Sequence, residues 1–253
     1  SKGVTTPGVK TKAEEVEGKE EEDITKEEAT LHRANVARSN YLSQDRSDTQ
    51  YAVKELCRKM SDPTRVDIEK LTRLARYSKD RTRSITTFQY QKNPFQVEVS
   101  VDTDFAGCNR TRKSTSGGVA MFGSHLLKTW SSTQDVVALS SGEAEFCGLV
   151  KGASQGLGIK AMLREYGVEA EVVIKTDASA AKGIALRRGL GKVRHIEVTQ
   201  LWIQDVVARG KIKIKKISTT ENLVDHLTKY LNQEGILEHM NGAGQWLAEG
   251  AIH

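Results

Sequence analysis

Apolar side chains recur along this chain with two different periods, and the change of period divides it. Over residues 51–60, Val53, Leu56, Cys57 and Met60 are spaced as one face of a helix. Ser61-Asp62-Pro63 breaks that run. Val66, Ile68, Leu71, Leu74 and Ala75 then repeat the helical spacing as far as Tyr77. From residue 96 the period shortens to two. Val97, Val99 and Val101 alternate with Glu98, Ser100 and Asp102, which predicts a strand. Further strands are expected over 117–122 and 126–130, close enough together to make an antiparallel meander. Ser140-Ser141-Gly142-Glu143 has the form of a capping box and opens a long helix ending near Gly167. A fourth strand covers 171–176, helices cover about 178–187 and 196–208, and Ile212, Ile214 and Ile217 mark a fifth strand. Ser218-Thr219-Thr220-Glu221 predicts the cap of a last helix carrying Leu223, Val224, Leu227 and Leu231.

The resulting order, βββαβααβα, implies one α/β domain. Its sheet is mixed and five-stranded, with three antiparallel strands followed by two parallel ones reached through helical crossovers, and helices flank it. Four parts are expected: an acidic disordered tail over 1–30, a helical hairpin and linker over 31–95, the α/β domain over 96–232, and a C-terminal extension over 233–253.

Charge refines this division. The 253 residues carry 38 Lys+Arg and 33 Asp+Glu, a formal net charge of +5. Residues 1–30 hold five Lys and nine acids with few large apolar groups, so they cannot bury enough surface to offset their ordering entropy. The positive surplus lies in residues 31–95, where Arg73, Arg76, Arg81 and Arg83 cluster at the end of the hairpin and form a candidate phosphate-binding patch. Mean hydropathy is −0.48, and no apolar run is long enough to span a membrane. Three cysteines without a CxxC or Cys/His grouping argue against a disulfide scaffold or structural zinc. They point to an intracellular, reducing compartment.

Candidate chemistry falls at element ends. Asp102 closes the first strand and Asp177 follows the fourth. Were those strands parallel neighbours, both carboxylates would emerge at one sheet edge, where α/β sheets build their sites. Glu145 falls in the first turns of the long helix, and Asp225 in those of the expected last helix. Glu143 is the capping partner. Asp104 shares a strand face with Asp102 and competes with it. Four converging carboxylates repel one another and call for divalent cations, two Mg²⁺ ions in the simplest reading, with Mn²⁺ as a substitute.

Several motifs in order carry a family resemblance. They are Val101-Asp102-Thr103-Asp104-Phe105-Ala106-Gly107, Arg112-Lys113-Ser114-Thr115-Ser116-Gly117, Ala138-Leu139-Ser140-Ser141-Gly142-Glu143-Ala144-Glu145-Phe146, Thr176-Asp177-Ala178-Ser179-Ala180-Ala181, Val193-Arg194-His195-Ile196-Glu197-Val198 and Asn222-Leu223-Val224-Asp225-His226-Leu227-Thr228-Lys229. Over roughly 96–232 the chain resembles the ribonuclease H domain of copia-type LTR retrotransposon polyproteins. Residues 51–79 resemble the end of the reverse transcriptase in the same polyproteins, but the polymerase Y-x-D-D motif is absent. The resemblance implies a ribonuclease H-like fold, and a D-E-D-D ligand set of Asp102, Glu145, Asp177 and Asp225. It also implies hydrolysis of the RNA strand of an RNA/DNA hybrid. Arg110, Arg112, Lys113, Ser114 and Thr115, in the first hairpin loop, are candidate contacts to the nucleic acid, as is His195. Phe105, Gly142 and Tyr230 depart from the usual family residues Trp, Thr and Pro. An alternative is a domesticated ribonuclease H fold serving as a structural or nucleic-acid-binding subunit of a larger, for example ribonucleoprotein, assembly. An integrase-like nuclease fits less well, because that group reads D-D-E.

Overall fold

The computed structural model describes residues 3–10, 24–189 and 201–248. The chain divides into two compact units, residues 1–86 with 229–253, and residues 87–228.

In the second unit, strand β2 (Gln96–Asp104) buries Val97, Val99 and Val101 on one face and turns Glu98, Ser100 and Asp102 to the other. It pairs antiparallel with β3 (Thr115–Phe122), which pairs antiparallel with β4 (His125–Thr133). On its other side β2 runs parallel to β5 (Glu171–Thr176), and β5 runs parallel to β6 (Ile212–Lys216). The sheet order β4-β3-β2-β5-β6 is the expected mixed arrangement of three antiparallel and two parallel strands. The β2–β5 register, Val99 opposite Ile174 and Ser100 opposite Lys175, sends Asp102 and Asp177 to the same sheet edge.

Helix α4 (Ser141–Glu165) covers the valine face. Ser140 caps it by accepting the Glu143 N–H at 3.3 Å, while the Glu143 carboxylate accepts the Leu139 N–H at 2.8 Å. Glu143 is therefore a capping residue, as its spacing predicts. The helix closes at Gly167 with a φ of +74°, a left-handed conformation that glycine adopts without a Cβ clash. Gly148, Gly152 and Gly156 form one stripe of α4. A Cβ on Gly152 would lie 2.5 Å from a Val101 methyl, and one on Gly156 2.6 Å from a Val172 methyl, so bare backbone lets the helix approach the sheet closely. Helices α5 (Ser179–Leu186) and α6 (Trp202–Ala208) add Ala181, Ile184, Ile203 and Val206 to this core.

The expected last helix does not form. In its place are two 3₁₀ turns, Thr219–Glu221 and Asp225–Leu227. The capping box at Ser218 is present, with Glu221 returning to the Ser218 N–H. The Asn222 side chain, however, is drawn off to donate to the Val101 carbonyl at 3.1 Å. Val224 and Leu227 are three apart, a spacing that also serves a 3₁₀ turn. They pack where Gly117 has no side chain: a Cβ there would meet Val224 at 2.8 Å and Leu227 at 3.0 Å.

The first unit corrects three expectations. Among the described residues three helices, not two, precede the sheet: α1 (Lys26–Leu42), α2 (Ser47–Cys57) and α3 (Arg65–Asp80). Helix α1 buries only His32 and Val36, which is too little apolar pattern to read from sequence. It is secured by a Thr25/Glu28 capping box and a Glu28–Arg65 ion pair of 3.0 Å. The acidic segment expected to be disordered is ordered at both of its described ends. Helix α1 begins within it, and Thr6 is buried and accepts a hydrogen bond from Arg73 at 2.9 Å. Finally, the C-terminal extension folds with this unit. Helix α7 (Gln233–Gly242) buries Ile236 and Met240, and β7 (Gln245–Leu247) pairs with β1 (Ser84–Thr86). A buried network of Arg46, Tyr77 and Asp48 joins α2 to α3, with both donors on the Asp48 carboxylate. Among the described residues no helix is long and apolar enough to cross a membrane.

Candidate active site

Three acids from three elements meet at the carboxyl edge of the sheet. Asp102 comes from β2, Asp177 follows β5 directly, and Glu145 lies one turn into α4. One carboxylate oxygen from each lies within 4.8 Å of the others. Three like charges at that spacing oppose one another, and Glu145 carries the consequence. Burial first, then the charges of Asp102 and Asp177, push its carboxyl up to about 8 against a weaker opposing hydrogen bond from the Thr103 backbone. Its Oε2 is buried and has no hydrogen-bond partner. A carboxylate grouped with two others, with one of its oxygens buried and unsatisfied, suits a hard divalent cation, which takes oxygen ligands. The three residues could hold such an ion.

A pH dependence follows. The folded chain binds the Glu145 proton more tightly than the unfolded chain does. The contribution of Glu145 to stability is therefore full at low pH and is lost as pH rises between about 4.5 and about 8. The slope is at most one proton, about 1.4 kcal/mol per pH unit. A divalent cation should reverse the trend, since it takes the place of the proton. Melting temperatures measured against pH, with chelator and with Mn²⁺, are expected to diverge above neutrality; parallel profiles would exclude this coupling.

The other sequence-derived candidates separate. Asp225 lies in the second 3₁₀ turn and is not part of the three-carboxylate group, so that group holds three of the four expected ligands. The helix expected to present it is replaced by that turn. Asp104 turns back toward its own loop, where its carboxylate lies against Gly107. Ser114 and Thr115 are fully buried, so neither can touch a substrate directly. Ser114 instead closes the loop by accepting the Ala106 N–H at 3.0 Å. Arg110 and Arg112 are exposed in that loop, and Lys113 is half-buried. Arg112 sits at a φ of +55°, an uncommon conformation for a side-chain-bearing residue. His195 lies outside the described residues. Arg73, Arg76, Arg81 and Arg83 belong to the first unit. Arg73 is engaged with Thr6, Arg76 and Arg81 are half-buried, and Arg83 is exposed.

Sequence reasoning missed the neutral polar residues around the acids. Thr228, fully buried, donates its hydroxyl to Asp102 Oδ2. Thr219 donates to Asp177 Oδ2 at 2.9 Å. Gln134 ties β4 to the start of α4, donating to the Ala144 carbonyl at 2.7 Å and to Ser116 at 2.8 Å. Thr219 and Thr228 lie six residues before and three after Asp225, which is the signal by which they could have been found.

The site is thus three carboxylates at the carboxyl ends of the strands of a five-stranded mixed α/β sheet. The chain is 30% identical over 186 residues to the retrovirus-related Pol polyprotein of transposon TNT 1-94 from Nicotiana tabacum, covering 73% of the chain and 14% of that protein. It is 29% identical over 196 residues to the Pol polyprotein of transposon RE1 from Arabidopsis thaliana, covering 76% of the chain and 13% of that protein. An uncharacterised mitochondrial protein of Arabidopsis thaliana is 33% identical over 115 residues, which are 46% of this chain and 48% of that protein. No protein-family model matches. Similar solved structures include a ribonuclease H1 in complex with an RNA/DNA hybrid, at 15% identity and a TM-score of 0.35, covering 52% of this chain and 93% of that one. Another is the N-terminal ribonuclease H domain of a Mycobacterium tuberculosis protein, at 18% identity and a TM-score of 0.36, covering 58% and 99%. The chain is similar in sequence to retrovirus-related Pol polyproteins of plant transposons, and spans 13–14% of the length of the two compared.

Proposed function

We propose that this chain is a metal-dependent endonuclease that hydrolyses the RNA strand of RNA/DNA hybrids. The observation that carries the proposal is the convergence of Asp102, Glu145 and Asp177, one carboxylate oxygen of each within 4.8 Å of the others. Homology to Pol polyproteins supports a nucleic-acid substrate. Asp102, Glu145 and Asp177 would hold the cation, and Asp225 is the fourth proposed ligand. Divalent cations at such a site activate water and stabilise the leaving oxygen of a phosphodiester. The chain's own residues prepare that chemistry. Glu145 must give up its proton before it can serve as a ligand, so proton and cation compete for it and cation binding should weaken as pH falls. Arg110 and Arg112 are exposed on the loop joining β2 to β3 and supply positive charge to the phosphate backbone. The RNA strand would be distinguished by its 2′-hydroxyls and groove shape.

The test is incubation of the full chain with end-labelled RNA/DNA hybrid, RNA duplex and DNA duplex, with Mg²⁺, with Mn²⁺ and with EDTA. Cutting of the RNA in the hybrid alone, abolished by EDTA, is expected. Absence of cutting with either metal would overturn the proposal and favour a nucleic-acid-binding subunit without nuclease activity.

A further inference from the structure

We propose that the segment from Thr219 to Thr228 is a clamp of neutral donors that fixes the orientation of the strand-end carboxylates, with Thr228 as its main positioning residue. The proposal rests on reading the acids as metal ligands, and not on which nucleic acid they act upon.

The segment grips the sheet edge at three points. Thr219 Oγ1 donates to Asp177 Oδ2 at 2.9 Å. Asn222 Nδ2 donates to the carbonyl of Val101, the residue before Asp102, at 3.1 Å. Thr228 Oγ1 donates to Asp102 Oδ2. Thr228 is fully buried, as is the Leu227 beside it, and Asn222 is nearly so. The two strand-end aspartates thus each receive a hydroxyl from one short stretch of chain, while Glu145 Oε2 receives none.

The chemical type of these donors matters. Three mutually repelling carboxylates would turn apart about their terminal torsions, which are broad and soft. A lysine or arginine could hold them, but would neutralise them and compete with a cation for the same oxygens. A hydroxyl or an amide orients a carboxylate and leaves its charge in place. The hydroxyl of Thr228 has a single proton. The Asp225 carbonyl, 3.2 Å from Thr228 Oγ1, already accepts the Thr228 N–H at 3.1 Å. The proton is therefore better placed on the Asp102 carboxylate, where the bond is charge-assisted. The side chain is also locked. Its Cγ2 sits over Gly117, where a Cβ would be only 2.7 Å away, so the methyl group fixes where the hydroxyl points. The same turn carries Asp225, so closing the clamp on Asp102 also sets the position of that residue.

The test uses the full chain and Mn²⁺ alone, reading free Mn²⁺ by electron paramagnetic resonance, with circular dichroism to confirm folding at the assay temperature. Thr228→Val keeps the shape and removes the hydroxyl, and Thr228→Ser keeps the hydroxyl. Thr228→Val is expected to raise the Mn²⁺ Kd by about ten- to a hundredfold, as loss of a supporting partner of a metal ligand does, with Thr228→Ser recovering most of that loss. Wild-type Mn²⁺ affinity in Thr228→Val, or equal weakening by Val and Ser, would overturn the clamp and leave a packing role. Should Thr228→Val not fold, Thr219→Ala at an exposed position is the second variant, with a smaller loss expected and an unchanged Kd counting against the clamp. A wild-type chain that binds Mn²⁺ but leaves hybrids intact removes the nuclease reading and not the clamp. A wild-type chain that binds no Mn²⁺ removes the clamp.

Discussion

Asp102→Asn is expected to lower Mg²⁺-dependent cleavage of an RNA/DNA hybrid by more than about a hundredfold while leaving the fold intact. Loss of a residue that merely supports a metal ligand costs about ten- to a hundredfold, and removing a ligand charge should cost more. Structure is preserved because the Asn side-chain oxygen can still accept the Thr228 hydroxyl that Asp102 Oδ2 accepts. Asp102 is also the larger of the two charges that hold the Glu145 proton, after burial. The variant should therefore bring the Glu145 carboxyl down toward its usual range. In chelator, the stability lost on the way to pH 8 should be smaller than in the wild type. Loss of cleavage together with equal or higher stability in alkaline chelator is the signature of a site that gives up stability for charge. Wild-type cleavage by Asp102→Asn would remove this residue from the site.

Two glycines of helix α4 are expected to respond with opposite sign to added side chains. At Gly158 nothing lies within 4 Å of an added Cβ, so Gly158→Ala should stabilise the chain by about 0.5–1 kcal/mol through helix propensity alone. Gly152 is buried, and its added Cβ would come within 2.5 Å of Val101 Cγ1 and 3.5 Å of Val99 Cγ1. Both valines are fully buried in the sheet and stiff about their first torsion, so helix and sheet must separate. Gly152→Val should destabilise by about 3 kcal/mol or more, the upper part of the range for overpacked cores. Because Val101 precedes Asp102, part of the damage should appear as weaker Mn²⁺ binding. Thermal unfolding of both variants decides the matter; similar shifts of one sign would refute the close packing of α4 on β2 and β5.

The strands were legible because each half-buried strand repeats every two residues. Val97, Val99 and Val101 show this most plainly, and the β2–β5 pairing follows from the helical crossover between them. Helix α4 was legible from its cap at Ser140 and its stop at Gly167. The last expected helix was misread because Val224 and Leu227 satisfy a helix and a 3₁₀ turn equally. What decided between them was Gly117, more than 100 residues earlier, whose missing side chain accepts the turn. Helix α1 was missed for the opposite reason. It buries two side chains and is held by a cap and an ion pair, which leave little periodic trace.

At the site, Asp102, Glu145 and Asp177 were legible as candidates in the sequence, because each stands near the end of an element whose bounds periodicity reveals, while Asp104 competed with Asp102 and the ligand set came from the family resemblance. Their separation, the 3₁₀ turn that carries Asp225, and the hydroxyls of Thr219 and Thr228 were decided only in three dimensions. The physical reason is range. Strand and helix periods, caps and turns are local, written within a few residues of where they act. Carboxylate spacing and hydrogen bonds such as Thr228 to Asp102, 126 residues apart, depend on how separate elements pack, and no local pattern records that.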